Sequence, residues 1–144
     1  VNLFVAGFIG TPQMNFINCV LDKKGEDYYI TFGTNTLKLP AEKAADPALK
    51  DYVGKEIVAG VRPECIHDDQ ASLKAMSDSV IECDVEVTEL MGAEIYLYLV
   101  SEETSMTARV SARSTTRAGD IVNVAIDMTR VHLFDKDTER YIIH

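Results

Sequence analysis

The chain is poor in cysteine, in positive charge and in long apolar runs, and each shortage excludes something. Its three cysteines, Cys19, Cys65 and Cys83, are odd in number, far apart and without a C-x-x-C pair. That rules out a disulfide framework and fits free thiols in a reducing compartment. Lysine and arginine total 14 against 23 aspartates and glutamates, a formal charge of -9. Such a surface argues against nucleic acid or an anionic membrane as partner. No window approaches the ~20 apolar residues of a membrane-spanning helix, so no direct membrane insertion is expected. The apolar opening "VNLFVAGFIG" lacks the basic flank and the length of a signal peptide. The glycine-bearing motifs of nucleotide binding and hydrolysis, G-x-x-x-x-G-K-[ST], G-x-G-x-x-G and G-x-S-x-G, are missing too. No catalytic residue, no metal site and no cofactor site is expected in this chain.

What is present is a core. Apolar residues make up 47% of 144 residues, enough for one domain or for two small half-domains sharing an interior. Asn2 is placed to cap a short helical turn burying Phe4, Phe8 and Ile9, which Gly10 and Pro12 would stop. From Phe16 onward the period is two. Ile17, Cys19 and Leu21 share a face, a "DKKGE" turn reverses the chain, and Tyr28, Ile30 and Phe32 form the next face. "TLKL" is a short strand, "DPALKDYVGK" a brief helix with Pro47 at its first position and Gly54 past its end, and "EIVAGV" another strand. In "VIECDVEVTEL", Ile81, Cys83, Val85 and Val87 are expected inward, with Glu82, Asp84 and Glu86 outward. Ile95, Leu97 and Leu99 follow a turn at "MGAE", and "MTARV", "IVNVAI", "HLF" and "YII" close the chain. About nine or ten short strands with hardly any helix predict a barrel or sandwich. "DDQASLKAMSDS" (68–79) is the best candidate for a linker. "GKEIVAGVRPECIHD" and "GDIVNVAIDMTRVHLFD" echo each other weakly, which suggests two related β-units.

Two stretches hold chemically capable residues. "GVRPECIHDD" (60–69) crowds Cys65, His67, Asp68 and Asp69 together, yet zinc wants paired, well-spaced ligand clusters. A thiol nucleophile wants a base and an orienting group. The plainer expectation is a buried Cys65, a half-exposed His67 and acids opening a loop. "ARVSARSTTRAG" (108–119) interleaves Arg109, Arg113 and Arg117 with Ser111, Ser114, Thr115 and Thr116. Guanidinium forks and hydroxyls at a turn are the parts of an oxyanion site, with Arg109, Ser111 and Arg113 as candidates. The alternative is an ordinary strand and polar turn.

Four motifs carry a resemblance. "FVAGFIGTPQMNF" (4–16), "GVRPE" (60–64), "ELMGAE" (89–94) and "VHLFD" (131–135) resemble, in order and spacing, landmarks of the ATPase subunits of maltose-type and multiple-sugar ABC importers. The matching positions are Gly10, Pro12, Met14, Asn15 and Phe16, then Gly60, Arg62, Pro63 and Glu64, then Gly92, Glu94, His132, Leu133 and Phe134. The resemblance implies a C-terminal regulatory domain of the transport-associated OB type, an OB-like β-barrel of two half-units with one or two short helices. Residues 1–16 would be the junction after a nucleotide-binding domain and 17–144 the regulatory domain, with half-units near 17–69 and 80–144. Val1 in place of Met fits a piece of a longer chain. ATP and magnesium would belong to the preceding domain, which this sequence lacks. The resemblance further implies a cytoplasmic position at the inner face of the membrane. It implies pairing with a second regulatory domain, association with permease subunits and, in some relatives, docking of a regulatory protein. Phe16, Gly60, Arg62, Pro63, Glu64 and Phe134 are the regulatory or interface candidates, Arg62 and Glu64 being able to pair with each other. "VSAR" (110–113) also resembles the Ser-Ala-Arg of molybdate-binding relatives, although Ser114 stands where they carry asparagine. A free-standing oxyanion-binding barrel is the alternative function. An enzyme built on Cys65 and His67 ranks last.

Overall fold

A computed structural model describes residues 13–144. The turn expected at Asn2, Phe4, Phe8 and Ile9 lies outside the described residues, as do Gly10 and Pro12. Within them the chain is mostly β, as the alternation predicts, with helix confined to short pieces. Eleven strands form two sheets of antiparallel pairs. The first takes β1 (Asn15–Lys24), β2 (Asp27–Phe32), β3 (Asn35–Lys38), β4 (Glu56–Val61), β10 (His132–Asp135) and β11 (Tyr141–Ile143), in the order β11-β10-β4-β1-β2-β3. The second takes β5 (Ile66–His67), β6 (Val80–Met91), β7 (Glu94–Ser101), β8 (Thr104–Ser111) and β9 (Ile121–Ile126), in the order β5-β9-β6-β7-β8.

Each sheet belongs to its own compact unit. One unit joins the described residues up to Val61 with Met128–His144; the other is Arg62–Asp127. The half-units read from sequence, near 17–69 and 80–144, run consecutively, whereas these units interleave along the chain. The reason is one pairing. The edge of β4 not used by β1 is taken by β10, with His132 opposite Gly60 and Asp135 opposite Ile57. Main-chain hydrogen bonding therefore draws the C-terminal strands into the first sheet.

In the first unit the period-two faces are buried as expected: Ile17, Cys19 and Leu21 on β1, Tyr28, Ile30 and Phe32 on β2. Leu21 lies opposite Ile30, so the two rows face the same interior. Gly25 makes the turn between them at φ 61°, where a side chain would be strained. The helix expected over "DPALKDYVGK" is a 3-10 turn, Pro47–Tyr52. Asp46 caps it by accepting from the Ala48 backbone N–H at 2.9 Å, and Pro47 takes the first position. The segment has one side chain to bury, Leu49, and a short 3-10 helix suffices. Helix α1 (Ala41–Ala44) buries none.

In the second unit β6 buries Ile81, Cys83 and Val85 and turns Glu82, Asp84 and Glu86 outward. Val87 breaks the expected series. The register shifts between Val85 and Val87, and this bulge leaves Val87 52% exposed. The stretch 68–79, the best linker candidate in the sequence, is itself folded. Asp69 caps helix α2 (Gln70–Ala75), and a 3-10 turn, Ser77–Ser79, leads into β6.

Candidate functional site

The sequence candidates fall into two groups with different surroundings. In the first unit Gly60 sits opposite Phe16 on one side and His132 on the other. A Cβ at Gly60 would lie 2.5 Å from Met14 Sδ and 2.8 Å from Phe134 Cε2. That close passage of a ring over bare backbone is what requires glycine here. Phe134 is fully buried, meets Phe16 edge-on at 6.0 Å and stacks on Tyr141 at 4.5 Å between ring centroids. Met14, Val58 and Phe134 form one apolar cluster, with Phe16 and Tyr141 against it. The side chains of Gly60's neighbours are thus packing groups of this unit.

In the second unit "RPE" does as proline dictates. Arg62 is extended at φ -72°, ψ 146°, and Pro63 opens a 3-10 turn, Pro63–Cys65. The turn buries Pro63 and Cys65 and leaves Glu64 half-buried. Glu64 does not pair with Arg62. Its partner is Arg109 on β8, Nη2 to Oε1 at 3.8 Å, and Arg109 Nε lies 3.2 Å from Glu94 Oε2 on β7. Neither contact is a well-formed hydrogen bond: Glu64 Oε1 and Arg109 Nε are buried and lack a hydrogen-bond partner. One guanidinium is shared between two carboxylates as a Coulombic bridge.

The two chemically capable stretches of the sequence meet here. A cavity of about 780 Å³ is lined by Glu64, His67, Asp68, Asp69 and Gln70 from the one, and by Arg109, Ser111, Arg113, Ser114, Thr115 and Thr116 from the other, with Ala93, Glu94 and Val110. The sequence candidates Arg109, Ser111 and Arg113 are all in its wall. Two of the hydroxyls, however, already donate to a carboxylate. Ser114 Oγ donates to Asp68 Oδ2, and Thr116 Oγ1 donates to the same oxygen at 2.8 Å. Ser114 Oγ also accepts from the Thr116 N–H at 3.2 Å, and Ser111 Oγ from the Arg113 N–H at 3.1 Å. Arg117 turns back on the loop, donating to the carbonyls of Ser114 and Thr116 at 3.0 and 2.8 Å. An internal carboxylate therefore sits where the hydroxyl turn would hold an anion. Four carboxylates line the cavity against two arginines, so its field disfavours a further negative charge. Asp69 is engaged in capping: the Ser72 N–H at 3.0 Å and the Ser72 hydroxyl hold its carboxyl below the usual carboxylate range.

The thiols are inert by placement. All three are buried, and burial pushes Cys19 and Cys83 up to about 12. Among the described residues no group of three His, Cys, Asp or Glu side chains is arranged to hold a metal ion. Nothing local in the sequence points to the contacts of Asp68 and Glu94, since Asp68 meets Ser114, 46 residues away, and Glu94 meets Arg109 on the neighbouring strand.

The MalK OB fold domain family matches residues 10–66, and the TOBE domain family matches residues 78–133. The chain thus carries a MalK OB fold domain followed by a TOBE domain. This MalK-type TOBE chain is 39% identical over 138 residues to the oligosaccharides import ATP-binding protein MsmX of Bacillus subtilis (strain 168). It is 34% identical over 142 residues to the trehalose/maltose import ATP-binding protein MalK of Thermococcus litoralis. Those matches take in 96% and 98% of the TOBE chain but only 37% of either relative. The fold also resembles that of the cytoplasmic molybdate-binding protein ModG, solved with molybdate bound, at a TM-score of 0.63 and 18% identity, covering 83% of this chain and 94% of ModG. At that identity the likeness concerns the fold alone.

Proposed function

We propose that this chain is the non-catalytic regulatory and dimerisation region of the ATP-binding subunit of a carbohydrate ABC importer. The observation that carries the reading is the MalK OB and TOBE domains in tandem, within relatives named as sugar-import ATP-binding proteins. In this reading the parent subunit hydrolyses ATP with magnesium in a separate nucleotide-binding domain and drives sugar uptake through permease subunits. It works in the cytoplasm at the inner face of the membrane. The present region pairs with its counterpart in a second subunit and receives regulatory input. Phe16, Gly60 and Phe134 act through the first unit's packing, and Arg62, Pro63 and Glu64 by shaping one wall of the second unit's cavity. The test is the native polypeptide. Intact mass and N-terminal sequencing are expected to give a chain longer by roughly two hundred residues, a domain's worth, with a glycine-rich phosphate-binding loop upstream. A native chain of about the present length overturns the proposal.

The alternative, a small-oxyanion binder, draws support from the gathering of Arg109, Ser111 and Arg113 in one cavity wall. It is the weaker reading, because Asp68 and the shared Arg109 leave that wall few unused donors. Calorimetry with molybdate, sulfate and phosphate separates the two, heat of binding being expected with none of them.

A further inference from the structure

The outer face of the second sheet departs from an ordinary wet face. Strand register places Val87 beside Tyr98, Glu89 beside Tyr96, and Asp84 between Ile121 and Val100, and residues directly opposite share a face. Ile121 on β9 is 67% exposed and Val87 on β6 52%, and Tyr96, Tyr98 and Val100 lie half-buried on β7, on the other side of β6 from Ile121. The acidic positions of the same face are Glu82, Asp84, Glu89 and Glu94, and its neutral polar ones include Asn123, Thr107 and Ser105. Arg109, opposite Tyr96, supplies the cation among the residues that register places here, and it is already shared between Glu64 and Glu94.

We propose that this face docks a protein segment that is apolar along its length and basic at its margins. The bulge in β6 is the device that builds the surface. By shifting the register after Val85 it turns Val87 to solvent and lines it up with Tyr98. Large apolar side chains set in a rim of charge mark contact surfaces, and tyrosine suits them because its ring is apolar and its hydroxyl polar. The rim decides the occupant. A two-fold contact between copies lays a face against itself, which here brings carboxylates against carboxylates, while Arg109, the cation that register places on this face, is already engaged. Phosphate-bearing surfaces are repelled for the same reason. A basic segment meets the opposite condition, because its cations relieve the crowding of carboxylates while its apolar side chains cover Val87, Tyr98 and Ile121. The inference goes beyond the function proposed above and does not depend on what the parent transports.

The experiment places p-benzoylphenylalanine at Val87 of the native full-length protein in its source cells, irradiates, and sequences the attached peptide by mass spectrometry. Expected is one protein, joined through a peptide that is apolar and net basic. The yield should fall several-fold with Asp84→Lys or Glu82→Lys and on raising the salt, while Glu103→Lys on the β7–β8 turn leaves it unchanged. Circular dichroism of each variant checks that it folds. Attachment to a second copy of this chain, attachment to an acidic peptide, no attachment, or a yield indifferent to the reversals each overturns the proposal. A parent that proves not to import sugar leaves the expected result unchanged, so the two readings fail separately.

Discussion

The surroundings of Gly60 and the cavity beside Glu64 are four residues apart in sequence and opposite in physics. Around Gly60 the first unit has removed a side chain so that Met14 and Phe134 can close over the strand. Around Glu64 the second unit keeps carboxylates, a guanidinium and hydroxyls partly buried, with Arg109 shared between Glu64 and Glu94 and with Ser114 and Thr116 donating to Asp68. The first arrangement gains stability from contact and dispersion, and the second from electrostatics, which water and salt weaken. A single short string, "GVRPE", thus serves packing at its start and polar architecture at its end.

The comparison is broken most severely from the apolar side. Phe134→Ala should cost about 3–5 kcal/mol, the usual loss for a fully buried ring, read as a lowered midpoint in urea. Gly60→Val should cost about 1–3 kcal/mol by overpacking, and pairing it with Met14→Ala should recover part of that loss by freeing the space beside Met14 Sδ. If Gly60→Val were neutral, the close approach of Phe134 would not be what selects glycine.

On the polar side the effects should be smaller. Asp68→Ala leaves the buried Thr116 and the half-buried Ser114 without their acceptor, at a cost of about 1–3 kcal/mol. Asp68→Asn keeps a side-chain oxygen and should cost less. Asp69→Ala removes the cap of α2 and should cost roughly 0.5–1 kcal/mol, the low end because the site is exposed. Its sign with pH is fixed by the direction of its shift. The folded carboxyl is held below its unfolded value, so its contribution is full above the ordinary carboxylate range and disappears as pH falls through it. The same holds for Asp135 in the first unit, lowered by the Tyr52 hydroxyl that donates to it at 2.7 Å. Thermal melts taken on acidification should therefore drop in the wild type, and the drop should be shallower in Asp69→Asn and Asp135→Asn. The smallest effect belongs to exposed Arg113: Arg113→Ala should change stability by less than about 0.5 kcal/mol. A larger loss would mean that the loop depends on that guanidinium.

Much of the first unit was legible in the sequence. Tyr28, Ile30 and Phe32 announce their buried face by spacing alone, and Asp46-Pro47 announces its turn by the chemistry of a cap and a fixed φ. The alternation in β6 held through Val85 and then misled at Val87, because a bulge depends on what the partner strand offers. The cavity was half legible: both stretches drew notice for their residue types, but Glu64 was matched with Arg62 by proximity in sequence rather than with Arg109.

Most strand faces, the turns, the acidic surface and the lack of a nucleotide-binding loop follow from amino-acid order alone, since each is set by a residue and its near neighbours. The pairing of β10 with β4, the place of Asp68 in the hydroxyl turn at Ser114 and Thr116, and the sharing of Arg109 by Glu64 and Glu94 arise from the assembled fold. Those contacts join residues tens of positions apart. A side chain's preference for a face is local, whereas the choice of its partner is made when the strands assemble.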